Sequence, residues 1–447
     1  MPHHDPKPAL SPVPDGEAAL VRAMGGFTLT AAIINIIVGA GIFMLPALLL
    51  SRMGAAAPVA FLAGALAIVP IALCFAAIGS RVATTGGPYS YVGAGFGAFP
   101  GFLAGALMWI CNVASSGGVG AALAAQVAKG FPLFAEPVPR ALLLAAVYAA
   151  LVALNAFGVR LGARAIAILA SLKLTPLFLL VVLGLPFVDW SQVEWFAVPS
   201  LATLGASMVL VMFAYSGMET ALIPSGELRD PSRSVPRATL AAIVLVVLLY
   251  IGIQVVCQGV LGARLATSTA PLADAAGTLW SPGLVALLAT AAISMTGFLM
   301  GNLLASSRLL FALGRDGWLP SAYGHVTMRH RVPLLAIATH GLLGCVLAIG
   351  GSFEALALVS GAANCLIYLG VCLAAWQVQR RDLRERGTPF VLPAGGLVPL
   401  LASASMLVVL ATLSRAEWSA IGIALAALVV LYAVLRQLRI RRATGRR

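Results

Sequence analysis

The segment Ile36-Ile37-Val38-Gly39-Ala40-Gly41-Ile42-Phe43-Met44-Leu45-Pro46 decides how this chain is read. It lies within an apolar run, 27–50, long enough to cross the hydrocarbon core of a bilayer as a helix, which takes about 20 residues. Two glycines flank one small residue near the middle of that run. Glycine weakens a helix and lets the backbone approach another group closely. From the segment alone two outcomes stay open. Either helices pack tightly through small residues, or the main chain breaks and turns its own N–H and C=O groups toward a ligand.

The surrounding chain supplies the solvent. It is 61% hydrophobic and 10% charged, with a mean hydropathy of +1.00, whereas soluble domains carry about 25% charged residues. Only helices and closed barrels satisfy the backbone in lipid. The apolar runs are continuous rather than alternating, so helices are expected. Twelve runs are read: 27–50, 55–80, 97–128, 139–157, 161–186, 200–224, 238–262, 283–312, 333–350, 354–377, 394–413 and 417–437. The third and eighth are long enough to tilt or to extend past the bilayer. The stretch Gly314 to Val332, the longest ordered connection expected, reads as an interfacial segment.

The net charge of +13 and pI near 10.1 would suggest nucleic acid in a soluble protein. Here no basic-aromatic groove is visible, and the basic residues fall in short connections. Alternate connections and the tails hold 22 of the 28 Lys and Arg, from Lys7 and Arg22 to Arg446 and Arg447. The opposite side holds 5: Arg52, Lys129, Arg140, Arg264 and Arg415. The positive-inside rule then places both termini in the cytoplasm, and an even number of spans requires the same. The polar, Pro-rich start, 1–24, is expected to be a disordered cytoplasmic tail rather than a cleaved signal. The last residues, 438–447, form a basic tail. Cys74, Cys111, Cys257, Cys345, Cys365 and Cys372 all lie in apolar runs and read as small buried side chains rather than disulfides or metal ligands. Of five histidines only His340 falls within a span, and no catalytic constellation is legible at membrane depth.

A second run breaks its own pattern at Phe213-Ala214-Tyr215-Ser216-Gly217-Met218-Glu219-Thr220. A carboxylate there is costly and faces a cavity or a partner. Gly217 would permit unwinding beside it. Two interrupted helices five spans apart suggest an inverted repeat, spans 1–5 (25–190) against 6–10 (198–378), followed by two C-terminal spans (392–437). Such repeats hold substrate at the bilayer midplane between discontinuous helices. The N–H groups of a half-helix attract a carboxylate, and bare carbonyls attract an ammonium. Lys173, in Ser171-Leu172-Lys173-Leu174-Thr175-Pro176, is a third anomaly. It either snorkels to the interface or faces the first helix. In the second case it would couple transport to protons or stand as a fixed cation.

These motifs resemble those of the amino acid–polyamine–organocation superfamily, with its LeuT-type fold, over nearly the whole chain after the tail. Gly39-Ala40-Gly41-Ile42-Phe43 with Pro46 is similar to the family's first-helix segment. Gly86-Gly87-Pro88-Tyr89-Ser90-Tyr91 is similar to its first cytoplasmic loop, and Phe213 to Glu219 to its broken sixth helix. The loop Gly226-Glu227-Leu228-Arg229-Asp230-Pro231-Ser232-Arg233-Ser234-Val235-Pro236-Arg237-Ala238 and the end of span eight, Ser307 to Pro320, resemble the family in the same order. The resemblance implies that a substrate carboxylate meets the amides of Ala40 and Gly41 and an amino group meets the carbonyls of Ile37, Phe213 and Ser216. Ala214 would line the same pocket, Phe213 would gate it, and Glu219 would be the gating acid. Lys173 matches a span-five lysine of proton-coupled members and of some exchangers. Asn112, Ser115, Ser294 and Thr296 are further pocket candidates implied by the resemblance. Pro88 and Pro231 are expected to stop helices, and Glu227, Arg229, Asp230 and Arg233 to form a charged inside latch.

The expectation is therefore a multi-pass, all-α protein of the cytoplasmic membrane without cofactor. It would move small neutral or apolar amino acids by alternating access, by proton symport or by exchange. A cationic amino acid or polyamine antiporter, or an exporter, of the same fold is the alternative. A channel would want a ring of carboxylates or a carbonyl filter, and neither is seen. Membrane-embedded enzyme chemistry lacks a constellation, and nucleic acid is not an expected partner. No partner subunit is implied by the sequence.

Overall fold

The computed structural model describes residues 24–157, 163–196, 199–327, 332–385 and 387–444. Residues 1–23 of the expected N-terminal tail and the arginines at 160, 329, 331, 386, 446 and 447 lie outside the described residues. The first apolar run forms two helices, α1 (Gly26–Ile37) and α2 (Ala40–Met53), with Val38 and Gly39 between them. Then follow α3 (Ala57–Arg81), the short α4 (Pro88–Phe96), α5 (Ala98–Gly130), α6 (Pro137–Ala156) and α7 (Ala163–Gly184). The sixth run is again a broken pair, α8 (Leu201–Tyr215) and α9 (Met218–Ala221). The rest is α10 (Pro231–Leu261), α11 (Pro271–Leu279), α12 (Gly283–Arg315), α13 (Leu334–Gly350), α14 (Phe353–Arg380), α15 (Leu397–Ala411) and α16 (Arg415–Thr444).

Within the described residues, the apolar runs read from the sequence fall on helices or broken pairs. Among the described residues nine helical stretches are long and apolar enough to cross a membrane. One of them, Gly26–Arg81, holds three consecutive helices, and two shorter apolar helices, Leu334–Gly350 and Leu397–Ala411, accompany them. The chain is an all-α, multi-pass membrane protein. The helices α5 and α12 have 33 residues each, about 50 Å at the α-helical rise, which agrees with the length expected of those runs. Large apolar side chains face outward without a protein partner to cover them, among them Leu66, Leu142, Leu248, Val285, Leu342 and Leu400. In water that surface would be untenable. In lipid it costs nothing.

Pro88 and Pro231 begin helices instead of ending them. Each sits at the first turn of its helix, α4 or α10. There the missing N–H is not needed and the fixed φ is already helical. The Asp230 carboxylate caps α10, accepting from the Arg233 N–H and the Ser232 hydroxyl (2.7 Å), so the expected latch of Asp230 with arginines becomes a helix N-cap.

Buried aromatic rings fasten the interior. Phe61 of α3 meets Tyr215 and Tyr250 edge-on at 6.0 Å, and those two tyrosines stack at 5.6 Å. Phe75 does the same for Tyr368 (5.6 Å) and Tyr91 (6.3 Å). These contacts join α3 to α8 and α10 on one side and to α4 and α14 on the other, and so set the walls around the two breaks.

Candidate functional site at the two helix breaks

The breaks lie against each other. A Cβ on Gly217 would stand 2.9 Å from the Ile37 nitrogen, and one on Gly41 would stand 2.9 Å from the Ala214 Cα. Glycine is required at both positions for backbone to approach backbone, and Gly217 also has φ +134°, a region closed to L side chains. Half-helix α1 therefore packs on α9, and α2 on α8.

Breaking α1 frees carbonyls that an unbroken helix would satisfy four residues on. Val38 N–H still bonds the Ile34 oxygen (2.9 Å), but Gly39 N–H turns to Ile37 (2.7 Å). The released acceptors are served from other helices. The Lys173 Nζ of α7 donates to Asn35 O and Val38 O, both at 2.9 Å, and more weakly to Ser294 O at 3.4 Å. The Ser294 hydroxyl of α12 also donates to Val38 O (2.6 Å), and the Tyr250 hydroxyl of α10 donates to Ile37 O (3.0 Å). Lys173 is fully buried, so it faces the first helix rather than snorkelling. No side chain caps the N-terminus of α2 at Gly39, where Ala40 and Gly41 begin the helix.

At the second break Ser216 returns to Phe213, its N–H (3.2 Å) and hydroxyl (2.7 Å) both meeting the Phe213 carbonyl. The Glu219 carboxylate accepts from Gly217 N–H and from the Tyr368 hydroxyl of α14, each at 2.8 Å, which satisfies a buried acid. The ring of Phe213 stands edge-on to Phe353, the first residue of α14, at 5.7 Å.

The structure brings Ile37, Gly39, Ala40, Gly41, Phe213, Ala214, Ser216, Glu219, Lys173 and Ser294 into one region, and it refines the expectation in two ways. First, a carbonyl has two lone pairs, and those of Ile37 and Phe213 are each already met by two donors. An ammonium at either oxygen would have to displace one of them. Second, Thr296 lies on the exposed face of α12, two positions from Ser294 and so about 200° around the helix. It is not a pocket residue.

Asn112 and Ser115 occupy a polar seam beside the breaks. Ser115 Oγ pairs with Ser360 Oγ of α14 (2.7 Å), and the Thr220 hydroxyl of α9 donates to Asn112 Oδ1 (3.2 Å). Sequence reasoning missed Tyr250, Ser360, Asn364 and Tyr368. The one available signal was the spacing of the last three at i, i+4 and i+8 in α14, which puts polar groups on one helix face. Among the described residues no group of three or more His, Cys, Asp and Glu is placed to hold a metal ion.

This architecture is that of an all-α, multi-pass membrane protein with two opposed helix breaks. The family described as "Amino acid permease" matches residues 24–435, and the chain belongs to that family. The chain is 25% identical over 415 residues to the branched-chain amino acid permease BcaP of Bacillus subtilis (strain 168), covering 87% of each chain. It is 25% identical over 414 residues to the human b(0,+)-type amino acid transporter 1, covering 90% of this chain and 84% of the relative. It is 27% identical over 387 residues to the human large neutral amino acids transporter small subunit 2, covering 82% and 71%. The protein is an amino acid transporter of this family.

Proposed function

We propose that the protein is a secondary active transporter that carries small neutral or apolar amino acids across the cytoplasmic membrane by alternating access, using protons or a counter-substrate as the driving partner. The observation that carries this reading is the pair of opposed breaks, with the Lys173 ammonium seated on carbonyls released by the first of them. The uncapped start of α2 offers amide N–H groups and a positive dipole end to a substrate carboxylate. The Ser216 region offers main-chain oxygen to the ammonium. One zwitterion is thereby recognised without a charged side chain of its own.

Lys173 stands where converging carbonyls would otherwise hold a metal cation. Gain or loss of its proton changes the charge between α1, α7 and α12, and this supports proton coupling through that residue. Each Glu219 oxygen accepts one hydrogen bond, from Gly217 N–H or from the Tyr368 hydroxyl, which ties the acid to α9 and α14. The branched-chain amino acid permease among the relatives fits an amino acid substrate with an apolar side chain.

The two breaks, each in the first helix of a five-span unit, support residues 25–190 and 198–378 as inverted repeats in a twelve-span layout. The arginine-rich connections support cytoplasmic termini. The test is uptake of a panel of labelled amino acids and amines into proteoliposomes at two pH values. Saturable uptake of neutral amino acids that responds to a proton gradient or to internal amino acid is expected. Failure of every amino acid to be taken up or to compete overturns the reading.

A further inference from the structure

A cavity of about 330 Å³ opens where α10 ends, beside α11 and the start of α12. This end of the bundle is opposite to the arginine-rich connections. Arg264, in the short helical turn Gly262–Thr267, and Asp274 of α11 bring its charges. Ser268, Thr278 and Ser281 bring hydroxyls, and Leu261 and Leu284 form its apolar walls.

The two charges are in different states. The Asp274 carboxylate pairs with Lys129 of α5 (3.2 Å) and accepts from the Ser268 hydroxyl (2.6 Å). The Thr278 hydroxyl donates to the Asp274 carbonyl (3.0 Å). The Arg264 guanidinium has neither an ion pair nor a hydrogen bond among the described residues, although it lines the same cavity as a carboxylate. Lys129 and Asp274 cancel. The cavity therefore keeps one uncompensated positive charge, on a planar fork of donors that matches phosphate oxygens.

The level of the cavity in the bundle narrows the anion. Trp280 lies between the lining residues Thr278 and Ser281 in the chain, and it touches Gly283. The exposed Trp190 and Trp195 flank a segment tied to the same end of α10. There Asp189 N–H donates to Gly259 O (3.1 Å) and Gln258 Nε2 to Gln192 O (2.6 Å). Tryptophan gathers at the headgroup level of a bilayer. Next to Leu284, Val285 of α12 is bare apolar surface, as are Val182 and Leu183 of α7. A Cβ on Gly184 of α7 would stand 3.2 Å from Leu279 of α11. The surface thus passes from a guanidinium, through hydroxyls and indole, to exposed hydrocarbon.

We propose that this cavity holds the phosphate headgroup of an anionic phospholipid, with Arg264 on the phosphate, Ser281 as a second donor and acyl chains against Val285. The proposal is independent of the substrate and of the coupling ion. A zwitterionic headgroup fits less well, because its ammonium would meet an Asp274 carboxylate already engaged by Lys129 and Ser268. The turn Gly262–Thr267 and α11 both pack on α2, the half-helix that starts at the first break. The bound lipid braces the segment that lies on α2.

The test is native mass spectrometry of the purified full chain, titrated with phosphatidylglycerol, phosphatidylcholine or inorganic phosphate. Wild-type protein is expected to bind phosphatidylglycerol at least about fivefold more tightly than phosphatidylcholine. Arg264→Gln is expected to lower that affinity by about fivefold or more and to leave phosphatidylcholine binding unchanged, which also reports a folded chain. Arg415→Gln, at an exposed arginine that starts α16, is expected to change neither. Both variants keep the C-terminal arginines, so lipid held by those cancels in the comparison. Equal phosphatidylglycerol affinity in wild type and Arg264→Gln overturns the site. An equal loss in Arg415→Gln reduces the effect to general surface charge and overturns it too. Inorganic phosphate that binds in an Arg264-dependent way, while phosphatidylglycerol does not, assigns the cavity to a free anion and overturns the lipid.

Discussion

Lys173 is the residue on which the coupling reading turns. Its ammonium donates to Asn35 O and is one of two donors to Val38 O. Removing it leaves the Asn35 carbonyl short of a partner, at about 1–3 kcal/mol. Lys173→Ala is expected to lower thermal stability by that amount while the protein remains monodisperse, and to abolish transport or separate it from the proton gradient. Transport by the variant with wild-type pH dependence would remove the coupling role. Phe213 makes a different prediction. Its ring touches Phe353 across the site, an edge-on pair worth about 0.5–1.5 kcal/mol beyond burial. Phe213→Ala should therefore raise KM severalfold with only a small loss of melting temperature. An unaltered KM would make the ring a packing group.

The element that matters is the half-helix, and its existence depends on glycine at particular contacts. Gly217 has φ +134° with the Ile37 backbone against it. Gly422 in α16 has nothing within 4 Å of its notional Cβ. Gly217→Ala should thus lose uptake and fall in stability by more than about 1 kcal/mol. Gly422→Ala should keep uptake and gain a few tenths to about 1 kcal/mol. Equal behaviour of the two variants in uptake and thermal melts would mean that the break at α8 and α9 is not what the transport cycle uses. The same contrast shows why Gly-x-Gly alone left two outcomes open. The sequence marks where a helix is weak. Whether the weakness becomes a break depends on donors elsewhere that take up the released carbonyls.

At the scale of the whole molecule, contacts at both ends of the bundle tie its helices to one another. At the end where α1 begins, Met24 bridges to Leu228, and the segment after α14 straps α3. Arg81 reaches Asp382 (3.4 Å) and Leu383 O (3.2 Å), and Glu385 N–H returns to Arg81 O (3.0 Å). At the other end Arg52 pairs with Glu354, and Lys129 with Asp274 at 3.2 Å. The Asp382 carboxyl is held below the ordinary aspartate value of 3.8 by its contact with Arg384 and then by Arg81. A depressed carboxyl stabilises the folded form above the ordinary value and loses that contribution as pH falls below it. The strap is therefore expected to be insensitive to pH between about 5 and 8. Asp382→Asn should speed opening at that end, read as faster exchange of internal label, without changing the pH profile. A shifted profile in that window would point to another titrating group. Glu354→Gln, at a half-exposed pair, should alter stability by no more than about 1 kcal/mol.

The sequence by itself determined that the chain is helical and membrane-embedded, where its helices are weakest, and which connections carry the positive charge. Length, hydropathy and glycine placement are local properties, and each was readable residue by residue. Only the tertiary structure decided which donors complete the broken α1, that Thr296 faces away from the site while Ser294 faces it, and that Asn112 of α5 meets Thr220 of α9. The reason lies in the solvent. In water a helix shows its buried face by contrast with a polar one. In a bilayer the lipid-facing side is as apolar as the packed side, so the rotation of each helix leaves little trace in the hydropathy pattern, and the pairing of side chains across helices is set when the helices meet.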